Sequence, residues 1–329
     1  MNFLDKFISD IDQRPAMPLA VFPGIQLVGA RLIDVVTNSE TQVAVSNSIH
    51  KRYKTPVVMT AMDLSVEAEA FGCPIAFGEN EVPTVSSPII NSESDINLLR
   101  VPEIGEKRTS VYLKTASMLK SLEDKPYTLA VTIGPFSLAG RLMGMNDALC
   151  LTITEPSTLH KLLEKCTRFL ANYAQTFKIN KADGLLIAEP AAGLLSPLSV
   201  EEFSSNYLKQ IVSEVQDKSF PVVLHNCGAK LQHIKAKLSA GTYALHFGAP
   251  MNIIEALKSS QHRIILGNLD PAAVFLTPIP EETYTKTLEL LQLTKDFKNF
   301  IISSGCDIPA GAKIENLDAF FEACKINKK

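Results

Sequence analysis

Short apolar runs rich in β-branched residues recur along the chain, and within them apolar and polar residues do not alternate. Each run ends at turn formers or polar side chains. Runs of this kind are typical of parallel strands whose two faces are both buried. The predicted strands cover residues 56–60, 128–133, 184–188, 220–224, 243–247, 263–266 and 299–302.

Helical patterns lie between these strands. Apolar residues recur every three or four positions from Ser157 to Phe177, and Ser199 with Glu202 forms a predicted capping box at the start of another helix. Strand and helix alternate from about residue 128 onwards, which predicts an α/β fold.

An eighth strand, expected somewhere between residues 75 and 110, would complete a (β/α)8 TIM barrel. We therefore expect one domain over residues 1–329, with a helical and extended lead-in over about residues 1–50. A doubly wound open sheet is the alternative. Since no G-x-G-x-x-G follows the first strand, nothing in the sequence supports a dinucleotide site.

Composition narrows the functional class. The 329 residues are 46% hydrophobic, and 32 basic against 35 acidic residues give a net charge of −3. This balance offers no general attraction for nucleic acid. The sequence shows neither an apolar leader segment nor a run of about 18 apolar residues, so we expect a cytoplasmic protein that does not enter membranes. The six cysteines are widely spread and are expected to be reduced.

Candidate chemistry lies where the predicted strands end, which is where barrel enzymes place their reactive groups. His225 and Cys227 follow one apolar run, and alternate residues of an extended chain point to the same side. Cys306 follows another run. One histidine and two cysteines form a ligand set for catalytic zinc. The residues alone also allow a structural role, because free cysteines are often buried.

Other strand ends carry candidates for substrate binding. Asp63 would either orient a substrate or cap the next helix. Glu189 would bind zinc as a labile fourth ligand, make a polar contact to a bound molecule, or lie in solvent at the strand end. His246 is either a pocket group or a core histidine with satisfied hydrogen bonds. Asp270 is expected to cap the helix that follows it.

Longer segments resemble the uroporphyrinogen decarboxylase superfamily from about residue 15 to the C-terminus. They are residues 63–72 (DLSVEAEAFG), 267–271 (GNLDP), 304–311 (SGCDIPAG) and 315–320 (ENLDAF). The resemblance implies a single (β/α)8 barrel. Decarboxylases of this superfamily bind porphyrinogen carboxylates through an arginine-rich segment, whereas residues 22–29 here contain no arginine. They also have histidine where Cys306 stands.

The chain is more similar to the corrinoid-dependent methyltransferases, a branch that includes the methylcobamide:coenzyme M methyltransferases. In that branch an H-x-C pair and a distant cysteine bind zinc, and His225, Cys227 and Cys306 match these positions one by one. The resemblance implies Zn²⁺, a methylated corrinoid as methyl donor and a small thiol such as coenzyme M as acceptor. It also implies that a separate corrinoid protein docks on the strand-end face. Arg141 and Lys230 are candidates for binding a sulfonate.

Four alternatives are also compatible with the sequence. They are a uroporphyrinogen decarboxylase-like enzyme, a corrinoid/tetrahydrofolate methyltransferase, a homocysteine methyltransferase and a non-catalytic protein that holds zinc or a corrinoid protein. Members that use tetrahydrofolate need not keep the zinc ligands, and structural zinc usually has four protein ligands. A further group is expected to fix the tautomer of His225; the sequence does not identify it.

Overall fold

A computed structural model describes residues 1–9, 15–260 and 262–326. Residues 10–14, 261 and 327–329 of the predicted domain lie outside the described part. Within that part, seven strands form one parallel sheet and two form an antiparallel ribbon. The strands are Val57–Met59 (β1), Ile75–Ala76 (β2), Thr84–Val85 (β3), Tyr127–Ile133 (β4), Gly184–Ala188 (β5), Val222–Asn226 (β6), Ala244–Phe247 (β7), Ile264–Leu269 (β8) and Phe300–Ser304 (β9).

The parallel sheet confirms the seven predicted strands and the α/β fold. Its order is β1-β4-β5-β6-β7-β8-β9, so each strand pairs with the next sheet strand along the chain. Nearly all strand residues are buried, including every residue of β5, β6, β7 and β9. The non-alternating apolar runs therefore reflect a sheet that is covered on both faces.

Helices connect the strands and pack outside the sheet. The α-helices are Phe3–Ser9 (α1), Ile25–Val28 (α2), Leu32–Thr37 (α3), Ser39–Tyr53 (α4), Val66–Ala70 (α5), Glu93–Leu98 (α6), Thr109–Lys120 (α7), Pro135–Met143 (α8), Met145–Thr154 (α9), Pro156–Ile179 (α10), Pro197–Val200 (α11), Asn206–Val215 (α12), Ile234–Ser239 (α13), Ile253–Ser259 (α14), Pro271–Phe275 (α15), Pro280–Leu293 (α16) and Ile314–Ile326 (α17). Shorter turns are Phe22–Gly24, Pro190–Leu194 and Leu231–His233, and Glu201–Ser205 is a π-helical turn.

Two predicted helix starts have different outcomes. Asp270 caps α15, since its carboxylate accepts hydrogen bonds from the backbone N–H groups of residues 272 and 273. The capping box at Ser199 is wrong. Ser196 is the N-cap instead, and its hydroxyl accepts from the Ser199 N–H. Pro197 takes the first helical position, where its fixed φ suits the helix and its missing N–H costs nothing.

The expected eighth strand is not located between residues 75 and 110, which instead hold the antiparallel β2–β3 ribbon and α6. The place beside β9 is taken by residues 15–20. There the Met17 N–H donates to the Ile302 carbonyl at 3.0 Å and the Leu19 N–H donates to Ser304 Oγ at 2.9 Å. The same segment faces β1 across a narrow gap. Pro15 and Pro18 have no N–H groups, so this segment cannot form a regular ladder.

Helix α1 covers the amino end of the sheet. The ring of Phe3 stacks on Tyr127, with centroids 5.2 Å apart, and lies close to Gly184. Tyr127 and Gly184 are the first residues of β4 and β5. The loops at the opposite, carboxyl end carry the candidate site. Among the described helices, none combines the length and the apolar character needed to cross a membrane.

Candidate metal centre

The structure brings the predicted metal ligands together at the carboxyl end of the sheet. His225 belongs to β6, Cys227 directly follows it, and Cys306 lies two residues beyond β9. Their ligand atoms all lie within 4.8 Å of one another, and Cys306 Sγ is 3.5 Å from His225 Nε2. Strands β7 and β8 separate β6 from β9 in the sheet. Because the sheet curves, the carboxyl ends of β6 and β9 come close together, and the three side chains form a cluster.

The two sulfurs hold unequal charge. A hydrogen bond from Cys306 lowers the pKa of Cys227 to about 4, and the neighbouring His225 adds to this effect. The pKa of Cys306 is raised because its proton is held by the Cys227 sulfur and because its side chain is buried. The hydrogen bond between the two sulfurs therefore favours a pair that shares one proton and carries a thiolate. A thiolate is the form of cysteine that binds metals.

The donor set fits zinc. Zinc bonds of about 2.3 Å to sulfur and about 2.0 Å to nitrogen place tetrahedral S and N ligands about 3.5 Å apart. The separation of Cys306 Sγ and His225 Nε2 has this value. Two thiolates and an imidazole favour zinc over magnesium or calcium, which prefer oxygen ligands. Among the described residues the cluster holds three ligands, as catalytic zinc sites commonly do.

His246 lies behind the cluster, where it contacts His225. The two residues are paired in register on β6 and β7, and their Nδ1 atoms are 2.8 Å apart. The other ring nitrogen of His246 lies 2.8 Å from Ser303 Oγ. His246 is fully buried, so the structure gives it the surroundings of a core histidine with both nitrogens engaged. Sequence reasoning missed Ser303, although it ends an apolar run close to Cys306.

Glu189 is fully buried at the end of β5, so the solvated strand end considered from the sequence is wrong. Its Oε1 accepts a hydrogen bond from the Ser137 N–H at 2.8 Å, whereas Oε2 has no partner among the described residues. Burial raises the pKa of Glu189 to about 7. Oε2 lies against Gly134, where a Cβ would be only 1.5 Å away. Glycine at this position makes room for the carboxyl group.

A buried lysine, which sequence reasoning missed, lies close enough to Glu189 and Cys227 to be influenced by their charges. Lys237 of α13 is 1% exposed, and its Nζ has no hydrogen-bond partner among the described residues. Burial lowers the pKa of Lys237 to about 8, while the charges of Glu189 and Cys227 oppose that shift. The sequence K-A-K-L gave no sign of it, because lysines at this spacing usually lie on an exposed helix face.

Asp63 takes part in a buried ion pair and caps no helix. Its Oδ2 accepts from the Arg108 guanidinium, and its Oδ1 accepts from the Ser65 N–H at 2.9 Å. Arg108 also donates to Glu69 Oε2 at 2.6 Å and to Ser65 Oγ at 2.8 Å. The N-cap of α5 is Ser65. Both Asp63 oxygens are therefore engaged by protein groups, and sequence reasoning missed Arg108, which lies 45 positions away.

A further carboxyl group is buried beside this network. Glu67 is 1% exposed, and its Oε1 accepts from Thr132 Oγ1 at 2.6 Å. Its Oε2 has no partner among the described residues. Burial raises the pKa of Glu67 to about 7, because the charged form is poorly solvated there. The group holds a proton over much of the acidic range.

A cavity of about 460 Å³ opens at the same end of the sheet. Arg141 is the single charged side chain among its described lining residues. One wall includes Pro190 and Leu194, from the turn that follows Glu189. In that turn Gly193 packs directly on Gly228, the residue after Cys227. This turn therefore lies between the cavity and the loop that carries Cys227. Lys230 is exposed and is not among the described lining residues.

Comparison with known proteins shows similarity to two kinds of enzyme. Methylcobamide:CoM methyltransferase MtbA of Methanosarcina acetivorans is 26% identical over 323 residues, which cover 96% of this chain and 94% of that protein. A uroporphyrinogen decarboxylase of Neisseria meningitidis is 26% identical over 257 residues, which cover 75% of this chain and 72% of that protein.

A solved structure described as a methyltransferase from Methanosarcina mazei superposes with a TM-score of 0.84 over 98% of both chains, at 21% sequence identity. This match supports the predicted barrel fold. The profile of the family described as Uroporphyrinogen decarboxylase (URO-D) matches residues 15–326. Because that match covers nearly the whole chain, this protein belongs to the uroporphyrinogen decarboxylase family.

Proposed function

We propose that this protein is a zinc-dependent methyltransferase that moves a methyl group from a methylated corrinoid to a small thiol. The observation that carries the proposal is the cluster of His225, Cys227 and Cys306 at the carboxyl end of the sheet. Similarity to MtbA, described as a methylcobamide:CoM methyltransferase, supports it. Because the decarboxylase match has the same 26% identity, the ligand set and not the identity separates the two activities.

In this reaction His225 would hold the metal as a neutral imidazole, and Cys227 and Cys306 would hold it as thiolates. Zinc bound there would lower the pKa of an incoming thiol, so that the sulfur would remain nucleophilic at neutral pH. The thiol loses its proton, and its sulfur forms a bond to the methyl carbon as the carbon–cobalt bond breaks. Cobalt keeps that electron pair and passes from the +3 to the +1 state. The protein's task is to hold sulfur, carbon and cobalt in line.

The cavity of about 460 Å³, which the Pro190–Leu194 turn separates from the Cys227 loop, suits the tail of a small acidic thiol such as coenzyme M. Arg141 supplies a cation in its wall, and Glu189 lies directly before the Pro190 wall with an unpaired Oε2. We propose that Glu189 contacts the bound thiol. Asp63 contributes indirectly in this proposal, since both its oxygens hold Arg108 and Ser65 in place next to Leu64, another wall residue.

We further propose that the methyl donor is carried by a corrinoid protein that docks on the strand-end face. Six of the twelve exposed large apolar side chains among the described residues lie on the segments that follow the strands at this end. They are Phe77, Leu194, Leu198, Leu231, Leu276 and Ile279. Exposed apolar surface of this kind is typical of a protein interaction site.

A second cavity on this face, of about 700 Å³, is lined by residues from α2 and the β2–β3 loop and by Ala310, near Cys306. Its sole arginine among the described lining residues, Arg31, is paired with Asp34 through two hydrogen bonds of 2.7 and 2.8 Å. A porphyrinogen with several carboxylates needs unpaired cations. This cavity therefore favours the methyltransferase over the decarboxylase.

The test is anaerobic demethylation of methylcobalamin, followed by absorbance, with coenzyme M and homocysteine as separate acceptors. The protein is assayed as purified, after zinc removal and after zinc is restored. We expect thiol-dependent turnover that disappears and returns with zinc. Cys306→Ser should lose it, whereas Cys150→Ser, which alters an exposed cysteine outside the cluster, should keep it. Turnover independent of zinc, or decarboxylation of a porphyrinogen, would overturn the proposal.

Docking is tested separately with a methylated corrinoid protein and free methylcobalamin as alternative donors. Leu198→Asp should weaken turnover with the protein-bound donor and leave turnover with the free donor unchanged. The matched control is Ile179→Asp, which changes another exposed apolar residue, 63% exposed, at the opposite end of the sheet just before β5. Equal effects of the two variants would refute the proposed docking face.

A further inference from the structure

A chain of buried hydrogen bonds runs from the N-terminal segment to the candidate metal centre. Ser303 Oγ lies 2.7 Å from the Met17 carbonyl oxygen and 2.8 Å from His246 Nε2. His246 Nδ1 in turn lies 2.8 Å from His225 Nδ1. His225, His246, Ser303 and Met17 are each at most 2% exposed. Water therefore does not compete for these bonds.

The proton positions in this series of hydrogen bonds follow from the Met17 carbonyl, because a carbonyl oxygen can only accept. The carbonyl of Met17 has no proton, so the Ser303 hydroxyl donates to it. The Ser303 oxygen then accepts from His246 Nε2–H, which leaves a lone pair on His246 Nδ1. His225 must donate its Nδ1–H to that lone pair. The lone pair on His225 Nε2 consequently faces Cys306 Sγ at 3.5 Å.

The opposite arrangement is unfavourable. With the proton of His225 on Nε2, His246 would have to donate from Nδ1 and Ser303 would have to donate to His246 Nε2. The buried Met17 carbonyl would then lose its hydrogen bond from Ser303, at a cost of about 1–3 kcal/mol. In that arrangement the Nε2–H of His225 could donate to the Cys227 sulfur, but no lone pair would be left on Nε2 for a metal.

We propose that Ser303 and His246, anchored by the Met17 carbonyl, are positioning residues that fix His225 in the Nδ1–H tautomer and so present Nε2 to the metal. The inference rests on the proposed function in one respect, which is that the metal is zinc. It makes the N-terminal segment a part of the site, although Met17 lies 286 positions from Ser303. That segment is held on β9 by Met17 and Leu19.

The tautomer is measured on the metal-free protein by NMR of ¹⁵N-labelled histidine, with the His225 signals assigned from the spectrum of His225→Gln. We expect wild type to show His225 with its proton on Nδ1, and Ser303→Ala to show a mixture of tautomers. Ser304→Ala is the matched control. It removes the neighbouring buried hydroxyl, which accepts a hydrogen bond from the Leu19 N–H on the same segment, whereas Ser304 acts on His246 through its backbone, which the substitution keeps.

Zinc affinity is the second measurement, made by competition with a chelator. Ser303→Ala should bind zinc about 10–100-fold more weakly than wild type, as expected for loss of a group that orients a ligand. Ser303→Thr, which keeps the hydroxyl, should bind within a few-fold of wild type, and so should Ser304→Ala. Thermal unfolding of each metal-free variant identifies any loss of zinc affinity that comes from a general loss of folding.

Two outcomes would overturn the inference. One is a metal-free wild type in which His225 carries its proton on Nε2, and the other is a Ser303→Ala protein that binds zinc as tightly as Ser304→Ala. A wild type that binds no zinc would overturn the proposed function instead. The NMR measurement needs no metal, so it would still decide whether the hydrogen-bond chain sets the tautomer.

Discussion

Replacing Arg108 by methionine should destabilise the protein strongly, because it would leave a buried carboxylate without its partner. The Arg108 side chain is 7% exposed, and the side chain of Asp63 is completely buried. Removing one member of a buried pair costs about 3–5 kcal/mol. The 329-residue chain has an unfolding entropy of about 0.7 kcal/mol/K, so a loss of about 4 kcal/mol lowers the melting temperature by about 6 °C.

The assay is urea unfolding of protein with matched zinc content, followed by circular dichroism. Arg52→Met is the control, because Arg52 makes a similar pair of hydrogen bonds to Asp318 with both side chains about 40% exposed. This exposed pair should be worth at most about 1 kcal/mol.

The double variant Arg108→Met/Asp63→Asn should regain part of the stability lost in Arg108→Met, since it removes the unpaired charge. If Arg108→Met loses no more stability than Arg52→Met, or if the double variant is the less stable one, the reasoning is refuted. Asp63 would then be available to bind a substrate directly, as the sequence suggested.

Cys306→Ser should lose its zinc on dialysis against a chelator, because a hydroxyl is a poorer zinc ligand than a thiolate; metal content equal to wild type by mass spectrometry would refute the ligand assignment. Glu67, with its folded-state pKa raised from 4.5 to about 7, stabilises the fold fully below pH 4.5, and this contribution is lost as the pH rises through 7. Glu67→Gln should remove this pH dependence, about 3 kcal/mol in urea unfolding, and an unchanged profile would show that folding does not raise the pKa of Glu67. Gly193→Ala would place a Cβ 2.9 Å from the Gly228 backbone and should weaken zinc retention, unlike Gly311→Ala, where a Cβ meets nothing within 4 Å. Equal retention in the two glycine variants would contradict a role for this contact in placing the Cys227 loop.

The strands were predictable because a buried parallel strand is encoded locally, in three to seven consecutive residues. β5 and β9 show this directly, since every residue in each is buried. The segment beside β9 was not predictable in the same way. Residues 15–20 contain prolines, and they are held by contacts to residues 302 and 304, far along the chain. A local sequence pattern does not encode such contacts.

The same limit applies to the site. His225, Cys227 and Cys306 could be proposed from the sequence because strand ends of a barrel converge, and the resemblance to the corrinoid-dependent methyltransferases then singled them out as zinc ligands. The groups behind them could not be found in this way. Pairing of His225 with His246 depends on the register between β6 and β7, and the Ser303 contact with Met17 depends on where the N-terminal segment lies. Both are properties of the assembled fold.

The methyltransferase match covers more of this chain than the decarboxylase match, yet the two relatives have the same 26% identity to it. The sheet, the helices around it and the covering α1 maintain a common barrel, and most residues serve that purpose. In the proposed function the chemistry depends on a few side chains at one end, above all on sulfur at Cys306 and on the absence of arginine from residues 22–29. Two enzymes of this family can therefore share the same overall identity with this chain and still perform different reactions. The activity has to be argued from the atoms at the strand ends, where two sulfurs and one imidazole nitrogen face each other.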